Sequence, residues 1–390
     1  MPHPFDEIPD RRATESIKWR AYPADVLPMW VADMDFRSPE PVIHALQNRI
    51  AQGIYGYPGQ VDGLIEAILA WLETRHGWKI DPAAIMLVPG IVTGLNWFCN
   101  ALGQPGESVL VQSPVYPPFL SAPGNAGLHL QQMPLKVWGG RYSPDAAAFD
   151  SACSAAAADG HPASLFILCN PHNPVGRVFT RPELESIAAA CLRHNLTICS
   201  DEIHADLVYS ESRHIPIASL DPEIAARTVT FMAPSKTFNI AGLECSFAIV
   251  PNPDLRERLQ QGGRGLVGWV NLLGQVAAQA AYAESAPWLV DTLDYLQANR
   301  DYLYNYIMVE KRLPGVTMTL PEATYLAWLD CRATGIDNPY AFFLQKARVA
   351  LNFGGEFGLG GPGFVRLNFG CPRPMLTKAL DRMRRALEQR

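Results

Sequence analysis

Five places in this 390-residue chain carry side chains able to do chemistry, and each follows a short apolar run. Ala84-Ile-Met-Leu-Val88 runs into Pro89-Gly90-Ile91-Val92-Thr93-Gly94. A glycine at a helix start leaves backbone N–H groups free for an anion, and phosphate suits such a turn. Ser108-Val-Leu-Val111 leads to Ser113-Pro-Val-Tyr116-Pro-Pro, where prolines flank an aromatic ring. Leu165-Phe-Ile-Leu-Cys169 leads to Asn170-Pro-His-Asn173-Pro, a constrained turn able to aim Asn173 inward. Leu196-Thr-Ile-Cys199 leads to Ser200-Asp201-Glu202-Ile203-His204. A carboxylate among apolar neighbours is costly unless it meets a cation. Thr228-Val-Thr-Phe-Met232 leads to Ala233-Pro-Ser235-Lys236-Thr237, and a desolvated lysine loses its proton readily.

Singly, each has an ordinary explanation: a glycine turn, a packed ring, an aspartate capping a helix, a lysine reaching the surface. Together they supply a phosphate cradle, a platform for a flat ring, an amide, a buried carboxylate and an amine. Pyridoxal phosphate needs that set, the amine for its aldehyde and the carboxylate to keep its ring nitrogen protonated. The glycine turn is neither a Walker loop nor G-x-G-x-x-G, so a nucleotide is not indicated. His172, Asp201 and His204 make the competing reading, a metal site, which leaves the lysine and the phosphate turn without a role.

These residues need rigid elements to aim them. The five runs, with Ser246-Phe-Ala-Ile-Val250, lack polar alternation and read as strands buried on both faces. Thr180-Arg-Pro-Glu183 reads as a capping box, followed by Leu184, Ile187, Ala188, Cys191 and Leu192 on one helix face. Strands alternating with helices predict an α/β fold with a mostly parallel, doubly wound sheet, whose ligands gather at the carboxyl ends of the strands. From Pro287 the pattern changes. A helix over Trp288–Arg312, a strand at Tyr325–Leu329, a helix over Pro339–Ala347, a glycine-rich loop, a strand at Phe364–Phe369 and a terminal helix predict a smaller α+β domain. The expected division is a large domain of residues 46–286 and a small one of 1–45 with 287–390.

Apolar residues make up 48% of the chain and charged residues 18%, enough apolar surface for a large core. The net charge of −6, with no basic segment, argues against nucleic acid as a partner. The eight cysteines include no C-x-x-C and most sit in apolar runs, so buried reduced thiols are expected. Leu266–Ala283 is uncharged, but Asn271, Gln275 and Gln279 put three amides on one helical face. That predicts a buried helix with a polar stripe rather than a membrane span. With no basic or apolar leader at the N-terminus, the expected location is the cytoplasm.

Asn170-Pro-His-Asn-Pro-Val-Gly-Arg177, Asp201-Glu-Ile-His204 and Ser235-Lys-Thr-Phe-Asn-Ile-Ala-Gly242 resemble motifs of fold-type I pyridoxal-phosphate enzymes. Four further runs narrow the resemblance: Leu27-Pro-Met-Trp-Val-Ala-Asp-Met-Asp-Phe36, Tyr55-Gly-Tyr57, Glu322-Ala-Thr-Tyr-Leu-Ala-Trp328 and Phe364-Val-Arg-Leu-Asn-Phe-Gly370. With them, the chain from Lys18 to Arg373 is similar to the MalY/PatB branch, the cystathionine β-lyase-like carbon–sulfur lyases related to class I and II aminotransferases. The resemblance implies that Lys236 carries the cofactor, Asp201 faces its ring nitrogen, Asn173 bonds its phenolic oxygen and Tyr116 stacks on the ring. It implies phosphate binding by Gly90, Ile91, Val92 and Ser235, and a substrate carboxylate held by Arg366 with main-chain groups near Ala32. Tyr57 would reach the phosphate of a neighbouring subunit, making a homodimer with shared active sites.

Two positions depart from the aminotransferase pattern. His204 stands where many relatives place a tyrosine near the phenolic oxygen, though histidine suits this branch. Glu244 stands where many carry a phosphate-binding arginine; a carboxylate cannot do that, so either it points away or a cation such as Arg264 compensates. The implied activity is release of a thiol, pyruvate and ammonia from L-cystathionine or related S-substituted cysteines. An aminotransferase is the alternative, and a regulatory protein that binds a transcription factor a further one.

Overall fold

The computed structural model describes residues 4–390. Seven strands form the central sheet: β1 (Ile85–Val88), β2 (Ser108–Ser113), β3 (His129–Pro134), β4 (Ala163–Cys169), β5 (Thr197–Asp201), β6 (Thr228–Met232) and β7 (Ser246–Ile249). Their spatial order is β1-β7-β6-β5-β4-β2-β3. Every pair from β6 to β3 is parallel, while β7 runs antiparallel to both β6 and β1. All six expected strands are present. The seventh, β3, lies at the sheet edge with its side chains mostly half-buried or exposed, so its His-Leu-Gln-Gln-Met-Pro carries no apolar run.

The unbroken apolar runs follow from burial on both faces. Val109, Val111, Leu165, Ile167 and Cys199 pack into one cluster, while Leu110, Phe166, Leu168 and Ile198 pack into another on the opposite face. Helix α1 (Ile91–Leu102) covers the first face and α2 (Arg181–Arg193) the second. The capping box is formed at α2: Thr180 Oγ1 accepts from the Glu183 N–H, and Glu183 Oε2 accepts from the Thr180 N–H at 2.7 Å.

The uncharged stretch yields α3 (Leu272–Glu284), capped by Asn271, with Gln275 buried and accepting from the Val61 N–H at 3.1 Å. Helices Glu40–Ala51 and Leu64–His76 pack on α3. Among the described residues no helix is long and apolar enough to cross a membrane. Helix α4 (Ala286–Tyr304) follows and ends in a wider turn at Asn305–Val309. A four-stranded antiparallel sheet then forms from β8 (Thr317–Met318), β9 (Leu326–Asp330), β10 (Asn352–Phe353) and β11 (Phe364–Asn368), in the order β8-β9-β11-β10. Helix α5 (Arg373–Glu388) closes the chain.

The N-terminal segment returns to this second sheet. Leu27–Pro28 pairs in parallel with Val349–Ala350, and the Asp35 N–H donates to Gly370 O at 2.9 Å. Residues 31–36 then cross to the central sheet as a strap, where the Asn239 side chain accepts from the Met34 N–H and donates to Met34 O and Phe36 O. The strap is therefore held by Asn368 of β11 on one side and by Asn239, in the connection between β6 and β7, on the other.

Candidate active site

Parallel strands put their carboxyl ends along one edge, and the chemistry-bearing turns all leave from it. A cavity of about 430 Å³ opens there, roomy enough for a cofactor with an amino acid. It is lined by Gly90, Ile91, Val92, Tyr116, Asn173, Asp201, His204, Ser235 and Lys236 from the large sheet's turns, by Ala32 from the strap and by Arg366 from β11. Every sequence-expected site residue except Tyr57 thus meets at one place. Tyr57 is 92% exposed, its ring edge-on to Trp269 with centroids 5.6 Å apart, outside the cavity of its own chain.

At one end of the cavity, Gly90 takes φ +89°, a conformation open to glycine, and no side chain caps the helix it starts. The first N–H groups of α1 are left for an anion. Ser235 borders the same cavity from the short helix Pro234–Thr237. Asp201 ends β5, 5% exposed. Among the described residues only the Ile203 N–H donates to its side chain, at 3.1 Å. Burial pushes its pKa up to about 7, with the neighbouring Glu202 adding to the rise and Lys236 opposing it.

Lys236 Nζ donates to Ala32 O at 2.8 Å, and Tyr325 donates its hydroxyl to the same carbonyl at 2.9 Å. Burial lowers the lysine to about 8; Arg366 lowers it further, while Asp33 and Asp201 resist. His204 is buried with Nδ1 unpartnered, and burial beside Lys236 and Arg366 holds it neutral with a pKa of about 3. Arg366 is 4% exposed and donates to Asn173 Oδ1 (2.9 Å), Asn352 Oδ1 (2.6 Å) and Trp30 O (3.2 Å). No carboxylate forms an ion pair with it among the described residues, and burial lowers its pKa to about 10.

A buried cation without an anion, a buried carboxylate without a cation and an uncapped helix start are each costly alone. The vacant partners are a carboxylate, a protonated ring nitrogen and a phosphate. An amino acid and pyridoxal phosphate supply all three, so the residues fit the cofactor. The metal reading fails on geometry: His172 has Nδ1 against Cys169 O (3.1 Å) and Nε2 against Pro114 O (2.8 Å), so neither nitrogen is free for a shared ion. Glu244 is exposed at the cavity's border, and Arg264, also exposed, is not among the cavity's residues.

Trp30, Tyr325 and Asn352 were not singled out individually from sequence. Trp30 and Tyr325 stand inside two of the quoted motifs, which was the available signal, whereas Asn352 sits in a two-residue strand with no local mark. All eight cysteines are unpaired, seven of them buried, and Cys169 and Cys245 border the cavity.

The model of the family "Aminotransferase class I and II" matches residues 24–383. Cystathionine beta-lyase PatB of Bacillus subtilis is 40% identical over a 394-residue alignment that covers 98% of this chain and 99% of PatB. The crystal structure of OvoB superimposes with a TM-score of 0.93 at 44% identity, over 98% of each chain. The pyridoxal-phosphate-bound C–S lyase of Staphylococcus hominis superimposes at 0.90 with 34% identity, also over 98% of each chain. The chain belongs to the class I and II aminotransferase family.

Proposed function

We propose that this protein is a pyridoxal-phosphate-dependent carbon–sulfur β-lyase acting on L-cystathionine or related S-substituted cysteines. The observation that carries this reading is the single cavity flanked by an unpaired guanidinium, Arg366, and a buried amine, Lys236. The choice of lyase over amino-group transfer rests on kinship to PatB and the staphylococcal enzyme, both named for that chemistry.

In this reading Lys236 bears the cofactor, Asp201 faces its ring nitrogen, Tyr116 its face, and Asn173 and His204 its phenolic oxygen. The free N–H groups at Ile91 and Val92, over Gly90, hold the phosphate with the Ser235 hydroxyl. When bound, pyridoxal phosphate supplies a ring that accepts the electron pair left at the substrate's Cα. Arg366 grips the substrate carboxylate with two parallel N–H groups, which fixes Cα. Lys236, whose charged form burial disfavours, gives up its proton more readily than an exposed lysine and takes the Cα proton on Nζ. Asp201 becomes and stays anionic once a cationic ring nitrogen lies beside it, which stabilises the charge that develops. The neutral His204 adds no charge to the pocket. Overall the Cβ–S bond breaks, the thiol takes a proton, and one water converts the remainder into pyruvate and ammonia.

A second copy of the chain completes the site in this proposal. Ile54, Tyr57, Leu266 and Trp269 are each more than 70% exposed, an apolar patch of the kind that marks an interface. Two domains are proposed with it. Because the helix Glu40–Ala51 crosses residue 45 and packs on α3, the N-terminal part of the small domain is drawn to end ahead of Glu40. The unpaired cysteines suit a reducing compartment such as the cytoplasm.

The test is to purify the protein with added pyridoxal phosphate and measure pyruvate from L-cystathionine, with and without 2-oxoglutarate. Yellow protein and stoichiometric pyruvate are expected. Amino-group transfer to 2-oxoglutarate that far outpaces pyruvate release would make it an aminotransferase.

A further inference from the structure

Behind the carbonyl that holds Lys236, two cations and two carboxylates close into a ring. Arg11 donates from Nη2 to Asp33 Oδ2 at 2.8 Å and from Nη1 to Asp35 Oδ1 at 2.7 Å. Lys18 Nζ donates to Asp35 Oδ2 at 2.7 Å and to Asp33 O at 3.0 Å, and lies 3.3 Å from Asp33 Oδ1. Trp19 Nε1 adds a hydrogen bond to Asp35 Oδ1 at 2.8 Å. Lys18 and Asp35 are each 1% exposed. The charges sum to zero. Removing either cation leaves a net negative charge in a poorly screened place.

That charge adjoins, along the chain, the carbonyl that holds the reacting amine. Asp33 directly follows Ala32, whose carbonyl accepts from Lys236 Nζ, and Asp35 lies two residues further on. The strap cannot drift to relieve the strain of a change, since Asn368 donates to Val31 O and Asp33 O from one side and Asn239 binds Met34 and Phe36 from the other. The charged and titratable groups facing Lys236 are Asp33 on the strap, Asp201 at the end of β5, His204 just beyond it, Arg366 on β11 and the Tyr325 hydroxyl. Arg366 and Asp201 act on the amine in opposite senses, and of the carboxylates Asp33 acts most strongly.

We propose that Arg11 and Lys18 are positioning residues for the reaction: by cancelling the charge of Asp33 and Asp35 they keep the strap from holding a proton on Lys236, and they fix the Ala32 carbonyl against it. This rests on Lys236 being the cofactor-bearing amine. Neither cation touches the cavity. They act through the strap.

The experiment titrates the visible absorbance of the loaded full-length protein, whose pH midpoint reports the proton on Nζ. It is paired with the acid limb of kcat/KM. Arg11→Met, which uncovers one negative charge, is expected to raise both midpoints by about half to one pH unit. Arg11→Lys restores them. Asp33→Asn, which removes a negative charge, moves both the other way, and the Arg11→Met/Asp33→Asn double variant returns towards wild type. Should Arg11→Met fail to fold, the downward shift in Asp33→Asn still decides. Yellow variants whose midpoints stay put, or both move in one direction, overturn the proposal alone. A wild-type chain that takes up no pyridoxal phosphate overturns it together with the reading of Lys236.

Discussion

Burial disfavours the charged forms of both Asp201 and Lys236, and both are poised near neutrality. An acid raised from 3.8 to about 7 makes the folded cofactor-free protein bind an extra proton between those values. Its contribution to stability is therefore full below the unfolded value and is lost as the pH climbs through about 7. Asp201→Asn removes that loss: the Tm of cofactor-free protein should rise by a few degrees at pH 8 and change little at pH 4.5, as scanning calorimetry would read. Lys236→Ala, by contrast, should cut pyruvate release by at least about 10³-fold at every pH, since the group that moves the proton is gone. Arg366→Lys keeps the charge but loses the fork, and a fall in kcat/KM of about 10- to 100-fold is expected, mostly in KM. Asp201 and Lys236 were legible in the chain because each follows an apolar run with a group that burial penalises, whereas Arg366 was marked only by the family resemblance. Tyr325 and Asn352 were not legible, because their roles are hydrogen bonds to Ala32 O and Arg366, which only the fold brings near.

At the scale of elements, local signals proved readable and distant ones did not. The capping box of α2 depends on four consecutive residues, so Thr180-Arg-Pro-Glu183 announced it; Thr180→Ala should cost about 1 kcal/mol in urea unfolding with activity unchanged. The edge strand β3 left no such trace, and the helix expected to run to Arg312 loosens into a wider turn at Asn305–Val309. Helix α1 matters for another reason. It rests on β6 through Gly94, where a Cβ would lie 2.7 Å from the Phe231 ring. Gly94→Leu should destabilise the protein by about 1–3 kcal/mol. It should also weaken pyridoxal phosphate binding, because the same helix presents its N-terminus to the cavity. A fluorescence titration of cofactor affinity beside a thermal melt separates the two effects.

Across the whole molecule, the exposed apolar residues Ile54, Tyr57, Leu266 and Trp269 predict that assembly and cofactor retention go together. Trp269→Glu should shift sedimentation towards the monomer and lower cofactor affinity in parallel; a monomer that holds the cofactor as tightly as the wild type would separate the two properties. Sequence patterning conveyed the doubly wound sheet and the smaller partner sheet, since both are written in runs of buried residues. It said nothing of the strap's anchors, because those join residues more than 200 positions apart. The strap also has a consequence in time. A chain made from its N-terminus presents Val31, Asp33 and Asp35 long before Asn368 and Gly370 exist to receive them, and contacts so far apart in sequence form late. A growing chain can lay down the whole central sheet, lysine included, while the carbonyl that restrains that lysine still swings free. Competence then arrives only with the final stretch from Arg366 onward, so an incomplete chain carries a reactive amine but no finished pocket to use it.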